Sequence, residues 1–181
     1  NKIKNAEEHV LAGHLFVSFL SIIKQTNAST VILENVIPWK NTMSQAVIRA
    51  CLEQWGYDCV EGELTRELGA FEDRRRFCLV ATTKGMPKFD FDALTPSAVP
   101  VKTLGEILEP IADDDPMWKP YSYIFDKAER DLAAGKSFQP QLFDASSERL
   151  ATMTRHYAKV QSTNPLLKHP TDKKLYRLLT V

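Results

Sequence analysis

Val31-Ile32-Leu33-Glu34-Asn35-Val36 is the stretch on which the reading of the fold turns. From Thr30 to Leu33 the chain is apolar and rich in β-branched residues, the form of a buried parallel strand. A carboxylate and an amide follow at once, and Pro38 closes the turn. Upstream, Val10, Leu11, His14, Leu15, Val17, Phe19, Ile22 and Ile23 recur at helical spacing and predict a helix over residues 6–25. Downstream, residues 44–55 predict a second helix, which Gly56 stops at a C-cap position. Residues 57–60 and 77–82 predict two further strands. Helix, strand, helix, strand, strand is the rhythm of an α/β sheet.

After Gly85 the texture changes. Pro87, Pro96, Pro100, Pro110, Pro116 and Pro120 cut the chain into short pieces, and Asp113-Asp114-Asp115 forms an acidic turn. The reading is a linker over about 86–100 and an irregular α+β region over 101–175. The 181 residues suffice for one large or two small domains, and 44% hydrophobic with 25% charged residues matches an ordinary globular composition. Zero net charge argues against a protein that coats nucleic acid non-specifically, while leaving room for a local basic patch. Cys51, Cys59 and Cys78 have no paired spacing, which predicts reduced thiols and an intracellular, cytoplasmic setting. No apolar run is long enough for a membrane span. The absence of an initiating Met, and an end directly after an apolar run, read as the limits of a piece.

Two groups of side chains carry chemistry. Glu34 falls at the C-terminal end of an expected central strand, where open α/β sheets bind ligands. It is a candidate acid, although a lone Glu-Asn pair also reads as a capping or surface group. Arg74-Arg75-Arg76 precede an expected buried strand, and extended-chain alternation puts Arg74 and Arg76 on one face. Guanidinium forks suit phosphate or base oxygens, and the same run also reads as a solvated strand edge. The four histidines lack metal-ligand spacing, so no metal is expected.

Taken together these blocks resemble the DNA cytosine-5 methyltransferases. In that family a strand ends in Glu-Asn-Val, as at 34–36, and a Gln-x-Arg-x-Arg motif precedes another strand, as at 72–76. Leu166 to Thr180, with Arg177-Leu178-Leu179-Thr180, is similar to the approach to the ninth conserved block. The resemblance implies a partial Rossmann-like methyltransferase sheet over 1–100, a target recognition region over 101–175, and the start of a return to the catalytic domain at 176–181. It implies methyl transfer from S-adenosylmethionine to C5 of a cytosine flipped out of duplex DNA. Glu34 would hold N3 and the amino group, Asn35 and Val36 would shape the turn, Arg76 would contact the cytosine O2 and steady Glu34, and Arg74 would be the other motif arginine. It further implies a monomeric complete enzyme, of bacterial or phage origin, of the kind found in restriction-modification systems.

The chain departs from the family in three places. Glu72 stands where the motif has Gln, no Pro-Cys dipeptide supplies a nucleophile, and no Gly-x-Gly turn supplies the cofactor loop. In the family the last two lie upstream of the first helix, so the chain reads as a fragment that is itself inactive. The alternative is a non-catalytic DNA-binding module of the same origin. Cys51, Cys59 and Cys78 each read as core. From residue 149 onward, Arg149, Arg155, Lys159, Lys168, Lys173, Lys174 and Arg177 stand against Asp172 alone, a stripe suited to phosphate contacts. Ser146, Ser147, Thr152, Thr154, Gln161, Ser162, Thr163 and Asn164 offer groups for base edges.

Overall fold

The computed structural model describes residues 14–96 and 101–180. The expected helix segment before residue 14 lies outside them. The described residues divide into two compact units, 14–65 with 75–95, and 66–74 with 96 and 101–180.

In the first unit, helix α1 spans Leu15–Thr26, strand β1 Thr30–Asn35, helix α2 Met43–Gln54, strand β2 Tyr57–Leu64 and strand β3 Arg76–Thr83. Asn27 ends α1 in the left-handed conformation (φ 48°), a role Asn tolerates better than most residues. Thr42 caps α2 by accepting the Gln45 N–H, and Gly56 at φ +90° makes the turn into β2 that a Cβ would strain.

The sheet order is β1-β3-β2, with β3 antiparallel to both neighbours. The centre is therefore β3, whose Phe77 through Thr82 are all buried. This corrects the expectation of a central, buried parallel β1. Among the described residues β1 pairs on one side only, and antiparallel; Ile32 is 67% exposed. The composition of Thr30–Leu33 selects an extended conformation, but partner direction and coverage are set by the rest of the sheet.

Trp39, Ile48, Leu52, Tyr57, Phe77, Leu79 and Ala81 form the core between the helices and one sheet face. Trp39 lies tilted against Phe77, ring centroids 5.7 Å apart, and its indole N–H donates to Ser44 Oγ at 3.0 Å. Phe77 is 1% exposed at the centre of this packing. Phe77→Ala should destabilise the first unit by about 3–5 kcal/mol through lost burial and an unfilled cavity. Chemical denaturation checks this; a loss below about 1 kcal/mol would mean that the core is not built around this ring.

The second unit holds helix α3 at Ser122–Ala133, with strands β4 Gln141–Phe143, β5 Pro165–Lys168 and β6 Tyr176–Arg177. Their order is β4-β5-β6, with β4 parallel and β6 antiparallel to β5. Leu104, Leu150 and Leu167 centre its core, with Phe71, Leu108, Trp118 and Leu179 packed around them. Two expected boundaries shift. Residues 66–74, expected in the first region, group with the second unit because the Leu150 carbonyl accepts the Asp73 N–H and the Phe71 carbonyl accepts the Leu150 N–H. Tyr176 and Arg177, expected to begin a return to the catalytic domain, are a strand of the second unit's own sheet.

Candidate functional site

The register of β1 on β3 places Glu34 opposite Cys78 and Asn35 opposite Phe77. Arg76, the first residue of β3, is one step further along, and its Nε lies 2.6 Å from Glu34 Oε1. The structure thus brings together the two residues that the resemblance implies at one site. Arg76 is the better enclosed partner, with 19% of its side chain exposed against 53% for Glu34. Its Nη1 donates to the Arg75 carbonyl at 3.0 Å, which limits the swing of the guanidinium. Arg75 points to a different partner, Glu63 of β2.

The turn after β1 is fixed by its own side chains. Asn35 Oδ1 accepts the Val36 N–H at 2.8 Å, and a 3-10 turn over Ile37–Asn41 begins directly after Val36. Asn35 and Val36 therefore shape the backbone next to Glu34. Arg74 is different: it precedes β3, in the segment that belongs to the second unit, so strand alternation does not pair it with Arg76. The expectation of one face for Arg74 and Arg76 assumed that β3 began two residues earlier.

A half-exposed carboxylate held by a guanidinium offers an acceptor and a fork of donors side by side. That pair matches a planar ring edge carrying both an amino group and a carbonyl. Neither Cys59 nor Cys78 supplies a ready thiolate beside it. Burial first, and then neighbouring carboxylates (Glu53 for Cys59, Glu34 for Cys78), push both thiols up from their ordinary values.

In the second unit Glu72, standing where the motif has Gln, accepts the Met153 backbone N–H on Oε1 at 2.8 Å. Acceptance is within reach of carboxylate and amide alike, so the departure leaves this contact intact. Arg149, Arg155, Lys159, Lys168, Lys173 and Lys174 are all exposed. Arg177 is 2% exposed and leaves the basic stripe. Asn164, expected at a base edge, is buried at 1% exposure and donates to the Tyr157 carbonyl. Alternating polarity in a segment without regular structure does not tell which polar residues turn inward.

Lys168 is committed to Asp144 at 2.5 Å, and that ammonium, with the Ser146 hydroxyl, pulls the Asp144 carboxyl down to about 2. A depressed folded-state value means that the pair stabilises the fold above the ordinary carboxylate range and is lost as pH falls from about 4 through about 2. Carboxyl carbon shifts should show Asp144 titrating near pH 2, and Lys168→Met should move that midpoint up towards the ordinary value; no movement would assign the shift to Ser146 alone.

Among the described residues no helix is long and apolar enough to cross a membrane, and no cluster of side chains is arranged to hold a metal ion. No family model matches the chain. No curated protein matches its sequence. Solved structures do match. The S. pombe Dnmt2 methyltransferase superposes with a TM-score of 0.70 at 17% identity, over 90% of this chain and 56% of that one. The Entamoeba histolytica methyltransferase EhMeth gives 0.64 at 16% identity, over 91% and 52%. A Spodoptera frugiperda DNMT2 variant gives 0.63 at 17% identity, over 84% and 46%. The chain spans about half the length of these structures. It has the mixed α/β fold of the corresponding part of those methyltransferases.

Proposed function

We propose that the chain is part of a cytosine-5 methyltransferase acting on duplex DNA, and that Glu34 and Arg76 are its target-base residues. The observation that carries this reading is their 2.6 Å ion pair, formed between the end of β1 and the start of β3. The fold shared with methyltransferases supports it. So does the order of the sequence blocks. In the reaction, a nucleophile adds to C6 of cytosine and negative charge builds on the ring. An acid at N3 neutralises that charge, and a guanidinium at O2 holds the ring and the acid in one plane. S-adenosylmethionine supplies the methyl group in the complete enzyme; the chain's own residues bind and orient the base. Glu34, with Arg76 beside it, meets the acid's requirement for one open side. Arg74 is assigned a supporting contact near the target strand. Arg149, Arg155, Lys159, Lys173 and Lys174 are assigned to phosphates; Lys168, expected among them, is neutralised by Asp144 and is left out. Residues 101–175 then serve as the target recognition region.

The alternative, a DNA-binding module without catalysis, draws on the missing Pro-Cys and Gly-x-Gly elements. The two separate in an assay of the full-length polypeptide with duplex DNA and labelled S-adenosylmethionine. Label on cytosine supports the enzyme. DNA binding without label, weakening steeply with salt, supports the module.

A further inference from the structure

Of the eight polar side chains that the sequence offers to base edges, four are engaged within the second unit. The Ser146 hydroxyl donates to Asp144 Oδ1 at 2.6 Å, and Ser147 Oγ accepts the Asp144 N–H at 3.0 Å. The Thr152 hydroxyl donates to the Asp73 carbonyl at 3.2 Å, and Asn164 is buried against the Tyr157 carbonyl. The other four, Thr154, Gln161, Ser162 and Thr163, make no side-chain hydrogen bond among the described residues. All four lie in one loop over 154–163. Arg155 and Lys159, both exposed, stand in the same loop without an ion pair among the described residues. The uncommitted polar groups therefore collect on one segment, with two cations among them.

That segment is held firmly. Tyr157, 6% exposed, anchors its middle: the hydroxyl donates to the Pro165 carbonyl at 2.8 Å and accepts the Leu179 N–H at 2.8 Å. Asn164 Nδ2 donates to the Tyr157 carbonyl at 2.7 Å. A 3-10 turn over Tyr157–Lys159 ends at Val160, whose φ of 44° and ψ of 79° lie in the left-handed region. A β-branched residue disfavours that conformation, which glycine adopts freely. Val160 is kept there from two sides. Its N–H donates to the Tyr157 carbonyl at 3.2 Å, and its carbonyl accepts the Tyr123 hydroxyl of α3 at 3.1 Å. The Gln161 carbonyl then accepts the Asn164 N–H at 2.9 Å and closes the next turn. A connection alone has no use for a strained residue; a contact prepared in advance does. The backbone of Gln161 is thus fixed on both sides while its side chain is exposed.

We propose that the loop over 154–163 reads sequence in duplex DNA, with Gln161 recognising an adenine at its major-groove edge. Of the four free side chains only Gln161 has a donor and an acceptor on one planar group. Its amide oxygen accepts from the N6 amino group of adenine and its amide nitrogen donates to N7. The hydroxyls of Thr154, Ser162 and Thr163 bond to donors and acceptors alike and discriminate less. Arg155 and Lys159 hold the phosphates on either side. The proposal rests on duplex DNA as the substrate in the proposed function and names the residue that selects the sequence.

Randomised duplex DNA presented to the full-length protein tests it, read first by sequencing the DNA retained on filters and then by sequencing the methylated cytosines. Wild type should select adenine at one position of the retained DNA. Gln161→Ala should lower that selection by about tenfold and leave the preference at other positions unchanged. Gln161→Glu should move the preference at the same position to cytosine, whose amino group a carboxylate accepts. Arg155→Ala should weaken binding to all sequences alike and make its salt dependence less steep. The retained DNA is read without methyl transfer. Selection of adenine without methylated cytosine would therefore contradict the proposed function and leave the role of the loop standing. No adenine preference in wild type, an undiminished preference in Gln161→Ala, or a loss in that variant spread equally over all sequences would overturn the inference. So would the absence of binding to duplex DNA.

Discussion

On the proposed function, replacing Arg76 with Ala in the full-length protein is expected to lower methyl transfer by about 10²–10³-fold, the usual consequence of losing one donor aimed at developing charge. Duplex binding is expected to be almost unchanged. The asymmetry follows from where Arg76 sits. Its guanidinium is bound to Glu34 and to its neighbour's carbonyl, and only 19% of the side chain is exposed. A group so placed contributes little to capture of a phosphate backbone, whereas the exposed Arg155, Lys159, Lys173 and Lys174 are free to do so. Removing Arg76 also frees the Glu34 carboxylate to turn into water. In the proposed roles, acid and ring contact would be lost together, and Arg76→Lys should recover little, because an ammonium cannot reproduce the fork. Single-turnover rates and filter binding at fixed salt check the pair of effects. Equal losses in turnover and in binding would make Arg76 a positioning contact for the strand.

The second large effect is all-or-none. The 181-residue chain by itself should transfer no methyl group and should not bind S-adenosylmethionine tightly. Attack on C6 needs a thiolate under the ring. Cys78 lies opposite Glu34 in the register but is buried, at 4% exposure, within the central strand, and burial holds its thiol protonated. Cys51 lies within α2 and Cys59 within β2, and neither is on a loop at the Glu34 end of β1. In the methyltransferases that the chain resembles, cofactor binding uses a glycine turn after a first strand, and the chain has no Gly-x-Gly. Incubation with duplex DNA and labelled cofactor, alongside calorimetry with the cofactor alone, measures both. Label entering cytosine would force one of these three cysteines into the nucleophile's role.

Much of the first unit was legible because its elements are short and strongly patterned. The helix at 44–55 appears as Met43–Gln54, and the strand at 77–82 as Arg76–Thr83. The direction and place of β1 were not legible, since Val, Ile and Leu prefer extended backbone whatever strand lies alongside. Glu34 and Arg76 could be paired only through the family resemblance: 42 positions apart, they meet because β1 and β3 are neighbours, which no local pattern encodes. Helix α3 was missed, although Ile124, Ala128 and Leu132 keep helical spacing and Gly135 follows at φ +71°. The prolines before it drew the reading towards irregular structure. Arg177 was read as surface charge because composition cannot show that its strand runs through a core.

The central claim is that Glu34 and Arg76 hold a cytosine for methylation at C5. Its most direct measurement is the position of label in DNA methylated by the full-length protein, for wild type and Glu34→Gln, by digestion to nucleosides and mass spectrometry. The account predicts 5-methylcytosine from wild type and a loss of about 10²–10³-fold in Glu34→Gln with duplex binding retained. Label on an exocyclic nitrogen, or full C5 methylation by Glu34→Gln, would contradict it.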